Sequence, residues 1–381
     1  MARAPRFHIP RGSAQRQLRG ATRTAAHSRA AQPLPPPAGP APFRLDLVDV
    51  LGAKAVEAIE SSGTLVFHAV GDTGGIQQPE FQENVAAAME RDFEALNPAP
   101  SFFYHLGDVV YFYGQRASYY EQFYEPYMHY PAPIFAIPGN HDGDVTPVGD
   151  TEDPPESSSL DGFFANFCAP PGTHTPEAAE SPRHAMVQPN VYWTLTTPLA
   201  TIVGLYTNVP EHGVIEADQA AWVASEVAAA PVDRALIVAA HHPVYSADQF
   251  HGSSPNVGAV LDDAFTKAKR AANLVLNGHV HNYQRFTRQY GGDPVTYVVA
   301  GAGGYHNLHH MGTVNGQPPP PEWMDEELGV VLNAYNQVDF GYLTLTVTKT
   351  EIAGIYNSVP KPGSPGGTVK APINDSFTIR L

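Results

Sequence analysis

The chain has 381 residues, and its hydrophobic content of 43% is enough to bury a large core. It contains no run of 18 apolar residues and no apolar N-terminal stretch. Neither a transmembrane helix nor a standard secretory signal is therefore predicted, and a cytoplasmic location is the default expectation. The net charge is −16, and all 38 acidic residues lie beyond residue 44. Nucleic acid and anionic membranes are poor partners for so acidic a body.

The first 43 residues differ in composition from the rest. Residues 1–44 contain eight arginines and no acidic residue, and the run Pro35-Pro36-Pro37 lies near their end. Such a segment cannot bury enough apolar surface to offset the entropy of ordering, so we predict a disordered Arg/Pro-rich tail over residues 1–43. A targeting peptide or an anion-binding arm is the functional alternative. Residues 44–381 are predicted to form a single domain.

This domain begins with helical spacing over residues 45–59, which Gly63 ends. Eight apolar runs rich in Val, Ile, Phe and Tyr then predict buried strands, at residues 65–70, 102–106, 134–137, 201–206, 235–239, 274–276, 295–300 and 342–347. Helical patterns at 80–96, 217–229 and 257–272 alternate with them and indicate an α/β protein. Because such strands need cover on both faces, we expect a four-layer α/β/β/α sandwich of two mixed β-sheets flanked by helices. Two polar stretches, at about 143–190 and 303–328, are predicted insertions.

Five of the predicted strands are followed at once by Gly, Asp, Asn or His. The five motifs are Gly71-Asp72, Gly107-Asp108-Val109-Val110-Tyr111, Gly139-Asn140-His141-Asp142, His241-His242 and Gly278-His279-Val280-His281. Open α/β sheets bind ligands at the carboxyl ends of their strands, so the motifs together predict one shared site. Each motif alone is also compatible with an ordinary turn or helix cap. His279 and His281, two residues apart in extended backbone, point the same way and can reach one metal pair.

The order GD, GDxxY, GNH(D/E), VxxH and GHxH resembles that of the calcineurin-like metallophosphoesterases, over about residues 64–347. Most of that superfamily has a histidine two residues after the first aspartate, where this chain has Gly74. Tyr111 instead stands three residues after the second aspartate, Asp108. This exchange is similar to the signature of the purple acid phosphatase branch, including its tartrate-resistant members.

The resemblance implies seven metal ligands. Asp108 would bridge two metal ions. Asp72, Tyr111 and His281 would complete a site for Fe(III), and Asn140, His241 and His279 a site for Fe(II), zinc or manganese. Hard oxygen ligands such as a phenolate suit Fe(III), whereas imidazole and an amide oxygen suit a divalent metal. The bound metals would leave the centre net positive, which explains how an acidic protein attracts a phosphate.

Two histidines are candidates for contact with the substrate. His141 adjoins Asn140 and is the candidate general acid or phosphate contact. His251 resembles a histidine that lines the substrate cleft of the branch, with one extra residue in the preceding interval. Structural roles are expected for the remaining ones: packing or support of ligands for His68, His105 and His242, and a solvated loop for His306, His309 and His310. Asp142 is expected to fix its loop.

Three functions are compatible with these residues. The first is a binuclear-metal phosphomonoesterase of the purple acid phosphatase type, which uses metal-bound hydroxide. The second is a phosphodiesterase or nucleotide pyrophosphatase, since neither the fold nor the metal site fixes the ester. The third is a non-catalytic binding module, against which the complete ligand set argues. A phosphate ester is the expected substrate, and the sequence indicates no particular protein partner.

Overall fold

Two β-sheets lie face to face at the centre of the molecule. The computed structural model describes residues 30–145, 158–361 and 375–381. These residues form the strands β1 Arg44–Asp46, β2 Leu65–Val70, β3 Phe103–His105, β4 Ile134–Ala136, β5 Trp193–Thr196, β6 Ala200–Leu205, β7 Ala235–Ala240, β8 Leu274–Asn277, β9 Tyr283–Tyr290, β10 Asp293–Ala300, β11 Trp323–Asp325, β12 Val330–Asn336, β13 Phe340–Val347, β14 Glu351–Val359 and β15 Asp375–Arg380. The eight predicted strands are all present, with ends shifted by no more than two residues.

Both sheets are mixed. The larger has nine strands in the order β1-β5-β6-β7-β8-β10-β9-β12-β11, and the smaller has six in the order β15-β14-β13-β2-β3-β4. In the larger sheet β6, β7, β8 and β10 run parallel, and in the smaller sheet β2, β3 and β4 do. The remaining strands of the smaller sheet pair antiparallel. Each sheet therefore has a set of neighbouring carboxyl ends from which ligand-binding loops can leave.

Seven α-helices are present in the described ranges. They are α1 Leu47–Leu51, α2 Ala53–Ser62, α3 Glu80–Ala95, α4 Asn140–Gly143, α5 Asp161–Phe167, α6 Ala217–Ala229 and α7 Pro255–Ala268. The helix predicted over 45–59 is wrong in detail. Residues 44–46 pair with β5 as a strand, and the helical segment breaks at Gly52. Its predicted end is confirmed, because Gly63 adopts the left-handed conformation that ends α2.

Three apolar layers account for the sandwich. Alternate residues of β7 point to opposite faces: Ala235, Ile237 and Ala239 join the core between the sheets, while Leu236, Val238 and Ala240 pack against the face that α6 and α7 cover. The core between the sheets also receives alternate residues of β2 and β13 from the smaller sheet. A third apolar cluster lies between that sheet and α3. The four-layer α/β/β/α architecture is thus confirmed.

The predicted division into a tail of residues 1–43 and one domain from residue 44 stays a prediction, because residues 1–29 lie outside the described residues. Residues 30–43 contact the body: the backbone of Gln32 exchanges two hydrogen bonds with the Asn208 side chain, and the Trp222 indole donates to the Pro42 carbonyl. Of the first predicted insertion, residues 146–157 lie outside the described ranges. No helix in the described ranges combines the length and apolar character needed to cross a bilayer.

Candidate metal centre

The first two motifs lie in loops after β2 and β3. Asp72 and Asp108 are both buried, and both have positive φ angles, 57° and 53°, which are uncommon for non-glycine residues. The backbone N–H of Asp72 donates to the Gly107 carbonyl over 2.9 Å, which ties the two loops together. The two carboxylates are therefore presented side by side at one end of the smaller sheet.

The loop after β4 is fixed to the loop after β3 by a buried carboxylate. Asp142 accepts hydrogen bonds from the backbone N–H groups of Gly139 (2.8 Å), Val109 (3.0 Å) and Val110 (3.1 Å). Gly139 approaches so closely that an added Cβ would collide with the Asp108 carboxylate, so only glycine fits there. This packing places Asn140, the first residue of α4, beside Asp108, and Asp142 has the loop-fixing contacts predicted for it.

Tyr111 is held in place by both its backbone and its ring. The Gln122 side chain accepts from the Tyr111 N–H (2.9 Å) and donates to its carbonyl (3.0 Å). The phenolic oxygen lies 3.4 Å from both Asp72 Oδ1 and His281 Nε2. A Cβ added at Gly74 would lie only 2.7 Å from Tyr111 Cδ2. The tyrosine ring thus fills the space that a side chain at position 74 would need.

The imidazoles come from the larger sheet, in loops after β7 and β8. His241 Nδ1 donates to the Leu106 carbonyl of the opposite sheet (2.8 Å), and His281 Nδ1 donates to the Asn307 carbonyl (2.9 Å). Because these Nδ1–H groups are used, each ring presents Nε2 to the centre. The backbone N–H of His279 donates to Asp72 Oδ2 over 2.8 Å, which fixes the second imidazole loop against the first carboxylate.

The seven predicted ligands are brought together, and their donor atoms form two groups. Tyr111, Asp72 and His281 make the first group, at 3.4 to 3.6 Å. In the second, Asn140 Oδ1 lies 3.1 Å from His241 Nε2 and 3.0 Å from His279 Nδ1, and Asp108 Oδ2 lies 3.4 Å from His241 Nε2. Atoms that bind one cation at about 2.1 Å lie about 3.0–3.6 Å apart for angles of about 90° to 120° at the cation, so both groups fit a metal ion.

The charge distribution also favours cations. Burial raises the pKa of Asp72, and burial together with the Asp108 and Asp72 carboxylates raises the pKa of Tyr111 well above its usual value. Burial alone would lower the pKa of His241, but the same two carboxylates raise it to about 9. The two carboxylates therefore favour a bound cation, and a cation bound there can remove the proton of the Tyr111 phenol.

The two candidate catalytic histidines lie on different sides of this centre. The His141 backbone N–H donates to Asp108 Oδ1 (2.9 Å), and its Nδ1–H donates to the Phe112 carbonyl (2.8 Å). The His141 ring lies 4.6 Å from the Tyr111 ring. The ring of His251 lies 4.5 Å from that of His279. His141 thus adjoins the first donor group, and His251 the second.

One loop that contains none of the motifs also reaches the centre. In the second predicted insertion, Tyr305 stacks on Tyr111 with ring centroids 4.1 Å apart. His309, expected in a solvated loop, is buried, with its ring 4.3 Å from that of His281 and its Nδ1 3.6 Å from Asp248. The expectation for His309 was wrong, because its ring lies beside the buried Asp248 carboxylate and not in solvent. His242 is buried against Thr207 as a packing residue.

Glu211 is the other residue that the motifs missed. It lies in the loop after β6, and its carboxylate is 2.6 Å from His251 Nδ1. The position of β6 could have indicated Glu211, since β6 is parallel to β7 and ends at the same edge of the sheet. Motifs directly after strands do not include this residue, because it lies several positions beyond the end of β6.

Comparison with known proteins gives a family and a fold. Residues 65–283 match the family model described as calcineurin-like phosphoesterase. No curated protein sequence matches the chain. Similar solved structures include the purple acid phosphatase PPD1 from yellow lupin (Lupinus luteus) seeds, with a TM-score of 0.58, 19% identity, and coverage of 83% of this chain and 54% of the lupin chain. This chain therefore spans about half the length of the lupin enzyme.

Two further structures share the fold at lower identity. GAP50, described as the anchor in the inner membrane complex of Plasmodium, has a TM-score of 0.53 and 14% identity, with coverage of 84% of this chain and 89% of that one. PhoD has a TM-score of 0.52 and 12% identity, with coverage of 83% and 70%. At such identities these likenesses show a shared fold.

Proposed function

The chain belongs to the calcineurin-like phosphoesterase family, and from that membership we propose that it is a phosphomonoesterase of the purple acid phosphatase type. Membership makes it a metal-dependent phosphoric ester hydrolase with a binuclear metal site. The proposal adds the branch, the type of ester and the residues involved. The observation that carries it is the Tyr111 oxygen, 3.4 Å from an Asp72 oxygen and a His281 nitrogen, beside a glycine that leaves room for the ring.

In this proposal the seven ligands hold two different ions. Asp72, Tyr111 and His281 would hold Fe(III), Asn140, His241 and His279 would hold Fe(II), zinc or manganese, and Asp108 would contribute to both sites. Oxygen-rich and imidazole-rich donor sets of this kind suit a trivalent and a divalent ion respectively. When bound, such a pair neutralises charge on phosphoryl oxygens and lowers the pKa of water, so that hydroxide is available as the nucleophile.

His141 is the proposed proton donor to the leaving-group oxygen. Hydrogen bonds at its backbone N–H and at Nδ1 fix the ring next to Tyr111. A ring fixed in this way offers Nε2 as the nitrogen that exchanges a proton with substrate. The alternative role for the same position is contact with a phosphoryl oxygen, and the leaving-group test in the Discussion separates the two. His251 is the proposed second substrate contact, on the side of His279.

Absorption and hydrolysis together test the proposal. The protein loaded with iron and kept oxidised is expected to absorb visible light through a Tyr111 phenolate on Fe(III). Tyr111→Phe removes only the oxygen, so the variant should keep its fold, measured by circular dichroism, but bind Fe(III) more weakly and lose the colour. Tyr305→Phe is the matched control, because it removes a hydroxyl from the neighbouring stacked ring and should leave the colour intact.

Substrate comparison then decides the ester. Faster hydrolysis of p-nitrophenyl phosphate than of bis-p-nitrophenyl phosphate is expected. The reverse order would favour the phosphodiesterase or nucleotide pyrophosphatase alternative on the same metals. A colourless enzyme that is fully active with two zinc or manganese ions, and is unaffected by Tyr111→Phe, would leave the family assignment standing and remove the purple acid phosphatase assignment.

A further inference from the structure

Glu211 stands at the centre although none of the strand-end motifs contains it. Its loop is closed by a hydrogen bond from the Val214 N–H to the Thr207 carbonyl and a turn from the Gly213 N–H to the Pro210 carbonyl, both 2.7 Å. Thr207 Oγ1 lies 2.6 Å from His242 Nδ1, which attaches the loop to the residue after the ligand His241. The loop is therefore held at a fixed position beside the second donor group.

The contact between Glu211 and His251 is short and well supported. Glu211 Oε1 lies 2.6 Å from His251 Nδ1, and the His251 backbone N–H donates to Asp248 Oδ1 over 2.7 Å. The His251 side chain is about 10% exposed and that of Glu211 about 32%, so the histidine end of this hydrogen bond is largely shielded from water. With Nδ1 engaged by the carboxylate, Nε2 is the ring nitrogen that remains for a substrate. A carboxylate that fixes an imidazole in this way sets both its tautomer and its orientation.

A third cation among these residues is the competing explanation. A nitrogen from each of His251 and His279 and an oxygen from Glu211 all lie within 4.8 Å of one another, and His279 Nε2 is buried with no hydrogen-bond partner among the described residues. Two ligands of one cation, however, lie about 3.0 Å or more apart. The 2.6 Å separation between Glu211 and His251 is that of a hydrogen bond to a charged group.

We propose that Glu211 is a positioning residue for phosphate-ester hydrolysis, which fixes the ring of His251 beside His279 so that Nε2 faces the substrate. This inference rests on the proposed function, and it assigns Glu211 no direct contact with substrate or metal. Carboxylates that orient metal-ligating histidines change metal affinity or activity by about 10- to 100-fold, and we expect a similar factor for one that orients a substrate-contacting histidine. Glu211→Ala is therefore expected to lower kcat/KM by that factor while the metal content of the protein stays the same.

A double-mutant cycle on the metal-loaded full chain tests the proposal. Glu211→Ala, His251→Ala and the double variant are compared with p-nitrophenyl phosphate as substrate. If Glu211 acts through His251, the double variant should be no slower than His251→Ala alone. Glu211→Gln keeps an acceptor oxygen and should lose less activity than Glu211→Ala. Glu216→Ala, at an exposed glutamate in the same connection that makes no side-chain cap contact, is the matched control and should behave like wild type.

A second readout needs no activity. In metal-free protein with ¹⁵N-labelled histidine, the His251 Nδ1 proton is expected as a downfield NMR resonance, identified by its loss in His251→Ala. The same resonance should disappear in Glu211→Ala and persist in Glu216→Ala. A resonance unchanged by Glu211→Ala would overturn the contact on which the proposal depends.

Three outcomes separate the alternatives. Losses that multiply in the double variant overturn the positioning role, even when the wild type is an active phosphomonoesterase. Loss of one metal ion per chain in Glu211→Ala makes Glu211 a ligand and also overturns it. A wild-type protein that carries two metals but hydrolyses no phosphate ester overturns the proposed function, and with it the catalytic part of this inference.

Discussion

The two sheets contribute different chemistry to the centre. The smaller sheet supplies oxygen donors, from the loops after β2, β3 and β4: Asp72, Asp108, Tyr111 and Asn140. The larger sheet supplies nitrogen donors, from the loops after β7 and β8: His241, His279 and His281. Neither sheet alone carries a complete set for either donor group. The centre therefore depends on how the two sheets dock as much as on the residues that line it.

Three contacts hold this docking in register at the centre itself. His241 of the larger sheet donates to the Leu106 carbonyl of the smaller one, the His279 N–H donates to Asp72 Oδ2, and the Gly71 N–H donates to the Ala300 carbonyl. Away from the site, the two sheets contact each other through the apolar core between them. Substitutions that disturb the packing between the sheets should therefore affect metal binding, whereas substitutions of similar cost elsewhere should not.

Asp108→Asn should have the largest effect, because it removes the carboxylate charge nearest to the imidazoles of the opposite sheet. We expect metal content to fall below two ions per chain and kcat/KM to fall by about a thousandfold or more. Elemental analysis measures the metal content, and hydrolysis of p-nitrophenyl phosphate measures kcat/KM. Asp218→Asn, an exposed aspartate in the first turn of α6, is the control. Full metal content and activity in Asp108→Asn would contradict the assigned role of this carboxylate.

A pair of cavities tests the importance of docking directly. Leu274 lies in the core between the sheets and Leu236 in the cluster on the helix side, and both are fully buried. Each change to alanine should cost about 2–5 kcal/mol of unfolding free energy in urea. Only Leu274→Ala should also weaken metal binding, measured by competition with a chelator. Equal loss of metal affinity in both variants would mean that general stability, and not sheet docking, controls the centre.

His141→Ala should keep both metals and lower turnover by about a hundredfold, or about 2.7 kcal/mol in activation free energy. The loss should shrink for p-nitrophenyl phosphate, whose leaving group needs no proton, relative to an alkyl phosphate. Rates for the two substrates provide the measurement. An equal loss for both would instead make His141 a phosphate-positioning residue.

Acid should affect the smaller sheet through a buried network beneath it. The Asp92 carboxylate accepts from His68 Nε2 (3.1 Å) and from the Tyr342 hydroxyl (3.0 Å). Burial would raise the pKa of Asp92, but these hydrogen bonds hold it below its ordinary value. The stability that Asp92 contributes is therefore complete above the unfolded pKa of about 3.9 and is lost as the pH falls below that value and through the lower pKa of the folded state. Burial lowers the pKa of His68, so stability also declines as the pH falls below about 6.5.

Asp92→Asn should give the smallest of these effects, about 1.5–3 kcal/mol at pH 7. The variant should also lack the step in stability near the pKa of a free aspartate. Urea unfolding between pH 3 and pH 8 measures both, with Asp293→Asn at the exposed start of β10 as the control. If Asp92→Asn still loses unfolding free energy near the pKa of a free aspartate, other carboxylates are responsible for that loss.

The strands predicted from sequence share one physical property, which explains those that were missed. The eight identified runs are buried on both faces and therefore read as continuous apolar segments. Among the missed strands, β9 and β14 alternate between buried and partly exposed positions, and β15 lies at a sheet edge. Their half-polar composition gives no apolar run, so a search for such runs cannot find them.

Residues directly after strand ends were easier to identify from sequence than residues on longer loops. The seven proposed ligands follow strands closely, and the structure brings them together. Tyr305, His309 and Glu211 reach the centre from longer loops, whose paths depend on tertiary contacts such as the Asp248 carboxylate. The polar composition of these loops predicted exposure to solvent. The sequence does not show which polar side chains pair with each other and can therefore be buried.

The contact between Gly74 and Tyr111 restricts the evolutionary routes open to this centre. A side chain at position 74 would meet Tyr111 Cδ2 at 2.7 Å and Gln122 Oε1 at 2.5 Å, and Gln122 cannot easily move because it is bonded to the Tyr111 backbone. A histidine at 74, as in most of the superfamily, and a tyrosine at 111 are therefore mutually exclusive. Exchanging one arrangement for the other would therefore take substitutions at both positions, because a histidine added at 74 alone would clash with Tyr111.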